Sequence, residues 1–298
     1  LGLLGPIGVV RAVVRRAAIL VVPLVVVYLA RWALTGSGLG EAWRSPGAGG
    51  LSTWQGIDIV VAVTVSWIPL AADYTRFSRT QRGAFWGTGI GYLVPDVLLL
   101  ALGAVVLLTR DIADAAALPA AVAAGGIVAL LALVALTAAE TDEAFANAYS
   151  GAVSLQNLAP RVSQRLLVTL TTTLGIVGAL ALSLTSFQSF LFLLGSLFVP
   201  LFAVLLADWL VAGRSYERDD VFAAPAWRVG PLAAWVGGFA VYQWLSPTGP
   251  AWWVDRVERL DPPSWEIGAT IPAFVVSFGA ALVVTVLGRR SLPRTARA

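Results

Sequence analysis

The chain has 298 residues, of which 58% are hydrophobic and only 12% charged, with a mean hydropathy of +0.81. Soluble domains carry roughly 25% charged residues, so this composition excludes an ordinary cytosolic enzyme, a disordered protein and a nucleic-acid binder. The net charge of +3 is spread thinly between long apolar runs, and the absence of Cys and His removes disulfides, thiol nucleophiles and the commonest metal ligand and general base. What remains is an integral membrane protein.

All 20 basic residues are Arg, there is no Met, and the chain opens directly on Leu1. The expectation is a fragment lacking an N-terminal part. Arg11, Arg15 and Arg16 precede an apolar run too long for a signal-peptide core, with no small-residue cleavage site after it.

A helix needs about 20 apolar residues to cross the hydrocarbon core. In chain order, runs suited to this fall at 17–34, 54–72, 87–109, 126–150, 166–184, 186–208, 230–246 and 267–287. The predicted fold is therefore all-α, a single transmembrane domain over residues 1–298 with eight spans. With eight spans the connections alternate between two sides. One side holds 15 Arg, at 11, 15, 16, 76, 79, 82, 161, 165, 214, 218, 228, 289, 290, 294 and 297, and the other 5, at 31, 44, 110, 256 and 259. The excess of Arg on cytoplasmic loops then places both ends of the chain in the cytoplasm, with the plasma membrane as the location.

Tryptophan follows the same plan. Trp32, Trp43, Trp54, Trp244, Trp252, Trp253 and Trp265 fall near the outer boundary, and Trp86, Trp209 and Trp227 near the inner one, where indoles anchor at headgroup level. Trp235 lies one turn inside its run and leaves belt and core readings both open. Trp67 fits neither belt.

Ionisable residues within spans face a cavity or a partner, because hydrocarbon does not solvate them. The fourth run contains TAAETDEAFANAYSGAVSLQN. At roughly 100° per residue, Thr137, Glu140, Glu143, Asn147, Ser150 and Ser154 share one face, and Asp142 projects to the opposite side. The other reading ends the span near Ala139 and leaves the acidic group in a cytoplasmic loop, but that shortens the run below a span's length. In the second run, Pro69 lacks an N–H and leaves the Val65 carbonyl without its helical donor. Ser66 offers a hydroxyl beside that break, and Trp67 an apolar face with one N–H. Broken helices of this kind mark binding sites in transporters, although a packing role for Trp67 at a plain proline kink is the other reading. Asp96 after Pro95 calls for a partner or cavity, Asp73 and Arg76 for a helix-terminal ion pair, and Asp208 for a membrane boundary.

SWIPLAADYTRFSR at 66–79, GTGIGYLVPDVLL at 87–99 and NAYSGAVSLQN at 147–157 together resemble the nucleobase-cation symporter-1 family, permeases for cytosine, purines, uracil, allantoin, hydantoins and thiamine-type pyrimidines. The resemblance implies twelve spans on a five-plus-five inverted repeat, so the eight runs correspond to spans 5–12 and the first four are expected to be absent. It also implies that Trp67 is the platform on which the heterocycle stacks and that Asn147 hydrogen-bonds the ring edge. An amide offers donor and acceptor together. Glu143, one turn earlier, becomes a second polar contact. Ala138, Thr141 and Asp142 take the positions where sodium-coupled members hold the cation. The Asp there, flanked by Glu140 and Glu143, departs from their hydroxyl pattern and favours H+ over Na+ without excluding Na+.

The expected function is uptake of a nucleobase-like small molecule across the bilayer by coupled alternating access, with no organic cofactor, no metal and no nucleic-acid partner. Two alternatives are an amino-acid or organic-cation symporter on the same fold and an intramembrane metal-dependent enzyme using Glu140, Asp142 and Glu143. The second lacks the His residues or repeated Asp-rich motifs such sites recruit.

Overall fold

The computed structural model describes residues 8–35, 38–44, 50–75, 77–110, 112, 115–181, 183–222, 225, 227–261, 263 and 266–290. Among the described residues every α or β element is helical: α1 Gly8–Leu34, α2 Leu39–Arg44, α3 Thr53–Val65, α4 Ile68–Thr75, α5 Gln81–Thr109, α6 Leu118–Ala123, α7 Ile127–Leu158, α8 Gln164–Ala181, α9 Leu184–Val211, α10 Arg218–Phe222, α11 Val229–Leu245, α12 Ala251–Glu258 and α13 Thr270–Arg290.

Four of these are long and apolar enough to cross a bilayer, over Gln81–Thr109, Gln164–Ala181, Gln188–Val211 and Thr270–Gly288. Leu20–Leu34, Thr53–Val65 and Ile127–Ala138 are shorter apolar stretches, and α11 adds 17 helical residues. The protein is a multi-pass helical membrane protein. Several boundaries differ from those the apolar runs predict, each for a local reason. The run at 54–72 is two helices, α3 and α4. α5 starts six residues before the expected 87 because Thr80 caps it, its Oγ1 accepting the Gly83 N–H at 3.0 Å. α7 continues past 150 to Leu158, since Gly151 alone does not stop a helix and Pro160 holds the residue before it out of the α region. The acidic stretch is therefore helical, continuing from the apolar stretch Ile127–Ala138.

The chain divides into two compact units, residues 1–47 with 73–182 and residues 48–72 with 183–298. In the first, α7 packs against α1 and α8, and α5 against α1. Small residues allow the close approach: Ala33, Ala129 and Ala152 are fully or almost fully buried. Ala152 packs with Leu167 and Val168 of α8, and Thr171 Oγ1 of α8 shares its proton between the Leu167 carbonyl of its own helix at 2.9 Å and the Ala148 carbonyl of α7 at 3.2 Å. The ends of α1 and α5 are joined by Arg110, whose Nη2 donates to the Trp32 carbonyl. Its guanidinium lies 4.4 Å from the centre of the Trp32 indole, a cation–π arrangement.

In the second unit α9, α11 and α13 pack on one another and α3 packs on α9. Ala207, Ala234 and Ala281 form the centre of their contact with Val204. Gly238 of α11 marks the tightest point: a Cβ there would sit 2.9 Å from the Ala273 carbonyl oxygen and 3.0 Å from Pro200 Cβ. Polar side chains cross between these helices to main-chain carbonyls. Ser277 Oγ donates to Ala234 O at 3.0 Å, and Trp235 Nε1 to Leu197 O at 2.9 Å. The latter gives Trp235 an interhelical role. At the other end, Arg228 donates to Asp208 at 2.7 Å, and Tyr216 OH to the second Asp208 oxygen at 3.0 Å. The carboxylate hydrogen bond raises the Arg228 pKa above its ordinary value, outweighing the desolvation that lowers it.

Candidate functional site

The interruption between α3 and α4 lies at Ser66 and Trp67. α3 enters through a capping box: Ser52 Oγ accepts the Gln55 N–H at 3.1 Å and Gln55 Oε1 accepts the Ser52 N–H at 2.9 Å. At its far end the backbone tightens. The Ser66 N–H is shared between the Ala62 and Val63 carbonyls at 3.3 and 3.2 Å, the Trp67 N–H reaches Thr64 O at 3.2 Å, and the Leu70 N–H reaches Trp67 O at 3.0 Å. These are largely three-residue bonds, the tighter helical geometry that marks strained or hinge positions. Ser66 Oγ donates to Val63 O at 2.6 Å. Pro69, one residue into α4, supplies no N–H and fits a first helical turn. Trp67 is half-buried at the break.

A crevice of about 190 Å³ opens beside the break, between Val61, Val65 and Ile68 on one wall and Val199, Phe202 and Phe274 on the other. Its walls are almost wholly apolar, which suits hydrocarbon and not a ring with several hydrogen-bonding atoms.

The second group of candidates lies on α7, in the first unit. One unbroken helix carries Ala138, Glu140, Thr141 and Asn147, all exposed. Thr137 Oγ1 donates to Leu133 O at 2.9 Å and Thr141 Oγ1 to Thr137 O at 3.4 Å, so both hydroxyls turn back on their own helix. The Asp142 and Glu143 backbones are helical, while their side chains lie outside the described residues, as do the Asp73 and Arg76 side chains. Ser150 is buried and Ser154 exposed. Ser66, Trp67 and Pro69 thus belong to one unit, and the α7 candidates to the other.

Two polar centres were not singled out from sequence, and both lie in the second unit. Asp58, 9% exposed on α3, accepts the Thr270 N–H on Oδ1 at 2.8 Å and the Ala269 N–H on Oδ2 at 3.1 Å. The carboxylate caps α13 from another helix, where backbone donors and the helix dipole favour a negative charge. Gly268 makes room for it: φ is +84°, and a Cβ would lie 2.3 Å from Asp58 Cγ. The signal was available, since an Asp in an apolar run demands a partner.

The other centre is Gln243, 2% exposed on α11. Its Nε2 donates to Ser196 Oγ at 3.0 Å and Thr248 Oγ1 at 3.2 Å. Its Oε1 accepts from the Thr248 N–H at 3.0 Å and Trp253 Nε1 at 2.9 Å. Every hydrogen-bonding position of the amide is used. Both centres are complete in themselves and act as fasteners.

Comparison with known proteins gives one family. Residues 3–246 match the family described as permease for cytosine/purines, uracil, thiamine, allantoin. No curated protein and no solved structure matches the chain.

Proposed function

This chain belongs to the family of permeases for cytosine/purines, uracil, thiamine and allantoin, and on that premise we propose that it carries a nucleobase or related heterocycle, such as cytosine, a purine or hydroxymethylpyrimidine, by alternating access. The family is one of transporters and not of enzymes, so the chain is a transporter. The observation that carries the substrate reading is the interruption at Ser66–Trp67, which sets a half-buried indole where a helix is broken. A flat aromatic face beside a broken helix suits stacking of a planar base.

In this reading Trp67 is the stacking platform, the amide of Asn147 reads the ring edge, and Glu143 adds a second polar contact. Ser66 and Pro69 hold the break open. Ala138, Glu140, Thr141 and Asp142 form the coupling region, with H+ ahead of Na+. The eight helical runs act as one transmembrane domain of eight spans, equivalent to spans 5–12 of an inverted-repeat fold, with both ends cytoplasmic in the plasma membrane.

The test is uptake of radiolabelled cytosine, adenine and hydroxymethylpyrimidine into vesicles containing the full-length protein, under an imposed pH or Na+ gradient. Trp67→Ala should abolish base uptake and Trp67→Phe retain part of it. Unchanged uptake in both variants would make Trp67 a packing residue. A requirement for a charged substrate would favour the amino-acid or organic-cation reading.

A further inference from the structure

A groove of about 680 Å³ lies between α11 and α12. Its α11 wall is Val236, Phe239, Ala240 and Trp244, and its α12 side is Val257 and Leu260. The volume falls within the range of small-molecule pockets, about 300–1,000 Å³. The polar residue lining it is Gln243, and that amide is already fully bonded to Ser196, Thr248 and Trp253. Beyond it the lining offers the half-exposed Trp244 indole and otherwise aliphatic and aromatic carbon, so a hydrocarbon chain fits the groove better than a ligand with several hydrogen-bonding groups.

The rim has a different character. α12 is amphipathic. Trp253 and Val257 turn inward, Trp253 at 6.4 Å from Phe239. Asp255, Arg256, Glu258 and Arg259 are exposed on its outer side. Trp252 and Trp244 are 69% and 48% exposed beside the groove, in the manner of indoles at headgroup level. Over residues 251–261 two Arg stand against three carboxylates, at Asp255, Glu258 and Asp261. That mixture, net negative by one, suits a headgroup bearing both a phosphate and an ammonium, and disfavours one with a net negative charge.

We propose that this groove is a binding site for a zwitterionic phospholipid, with one acyl chain between α11 and α12 and the headgroup over the Arg256–Arg259 edge. The site shares no residue with the Trp67 and Asn147 candidates and does not depend on which solute the protein carries. Gln243 is its positioning residue, since it holds the 246–250 turn and Trp253, and through them the α12 wall.

The experiment uses the purified chain in nanodiscs of phosphatidylethanolamine and phosphatidylglycerol in equal amounts. A trace of phosphatidylethanolamine carrying a diazirine near the acyl terminus is added, and labelled peptides are mapped by mass spectrometry. Labelling should concentrate on residues 236–260. Ala240→Trp, at an exposed position that fills the groove without touching the helix-packing face, should cut it about fivefold or more, equivalent to about 1 kcal/mol of affinity. Val236→Trp, one turn earlier, should do the same, and Leu99→Trp on α5 should not. A phosphatidylglycerol probe with the same chain should label the groove less, and so should a diazirine fatty acid. Labelling spread evenly over the exposed apolar helices, insensitivity to both filling variants, or equal labelling by either comparison probe would overturn the proposal.

Discussion

Removing the Asp58 carboxylate tests whether a single side chain ties the first half of the broken helix to α13. In Asp58→Ala the Ala269 and Thr270 N–H groups, now bonded at 3.1 and 2.8 Å, lose their acceptor in a buried setting. Hydrogen bonds to a charged group contribute about 1.5–3 kcal/mol each, so the pair amounts to roughly 3–6 kcal/mol. The substitution also relieves the desolvation of a buried carboxylate, which brings the expected net loss to about 3 kcal/mol. Asp58→Asn keeps one acceptor oxygen but turns an N–H toward a backbone N–H, for a loss of about 2 kcal/mol. At about 2–4 °C per kcal/mol, the alanine variant should melt roughly 6–12 °C below the parent. The measurement is loss of the monodisperse size-exclusion peak on heating in detergent. If both variants melt within about 1 °C of the parent, the carboxylate is not the clamp that its distances describe.

Three further outcomes are expected. Gln243→Leu leaves the Thr248 N–H and Trp253 Nε1 without acceptors, and at about 1–3 kcal/mol per orphaned group it should loosen the 246–250 turn, read as faster limited proteolysis there. Gly238→Ala drives a Cβ to 2.9 Å from the fixed Ala273 carbonyl and should lower the melting midpoint by more than Gly237→Ala one residue earlier, where a Cβ meets open space. Arg228→Gln breaks a 2.7 Å ion pair whose Arg side chain is 43% exposed. Such pairs are worth about 0–1 kcal/mol, so its midpoint should move by no more than a few degrees, and a larger fall would mean that the Asp208 cluster carries more than surface electrostatics.

Much of the fold is legible in the order of residues, because the bilayer imposes a length and a composition that can be counted along the chain. Most of each apolar run is helical, though the 54–72 run is divided between α3 and α4, the 166–184 run passes the end of α8 at Ala181, and four helices are long and apolar enough to cross a bilayer. The interruption beside Pro69 follows from a missing N–H. The ends are less legible. α5 begins at a Thr cap and α7 runs on to a Pro, and these local signals act outside the apolar window. The two polar centres are hidden for a different reason. Asp58 meets its partners 211 and 212 residues away, and Gln243 is completed partly by Ser196, 47 residues back. No spacing rule joins such positions. The α7 candidates could be read from helical periodicity, whereas their relation to Trp67 depends on the placing of two separate units.

The interhelical ties of Thr171, Trp235 and Ser277 all end on carbonyls, at Ala148, Leu197 and Ala234. Every amino acid supplies that oxygen, so the accepting positions are free to drift in evolution as long as their bulk is kept, while the donating positions are not. A lineage of such proteins would be expected to hold the hydroxyls and the indole and to exchange small residues opposite them, a one-sided pattern of substitution that pairwise covariation would miss.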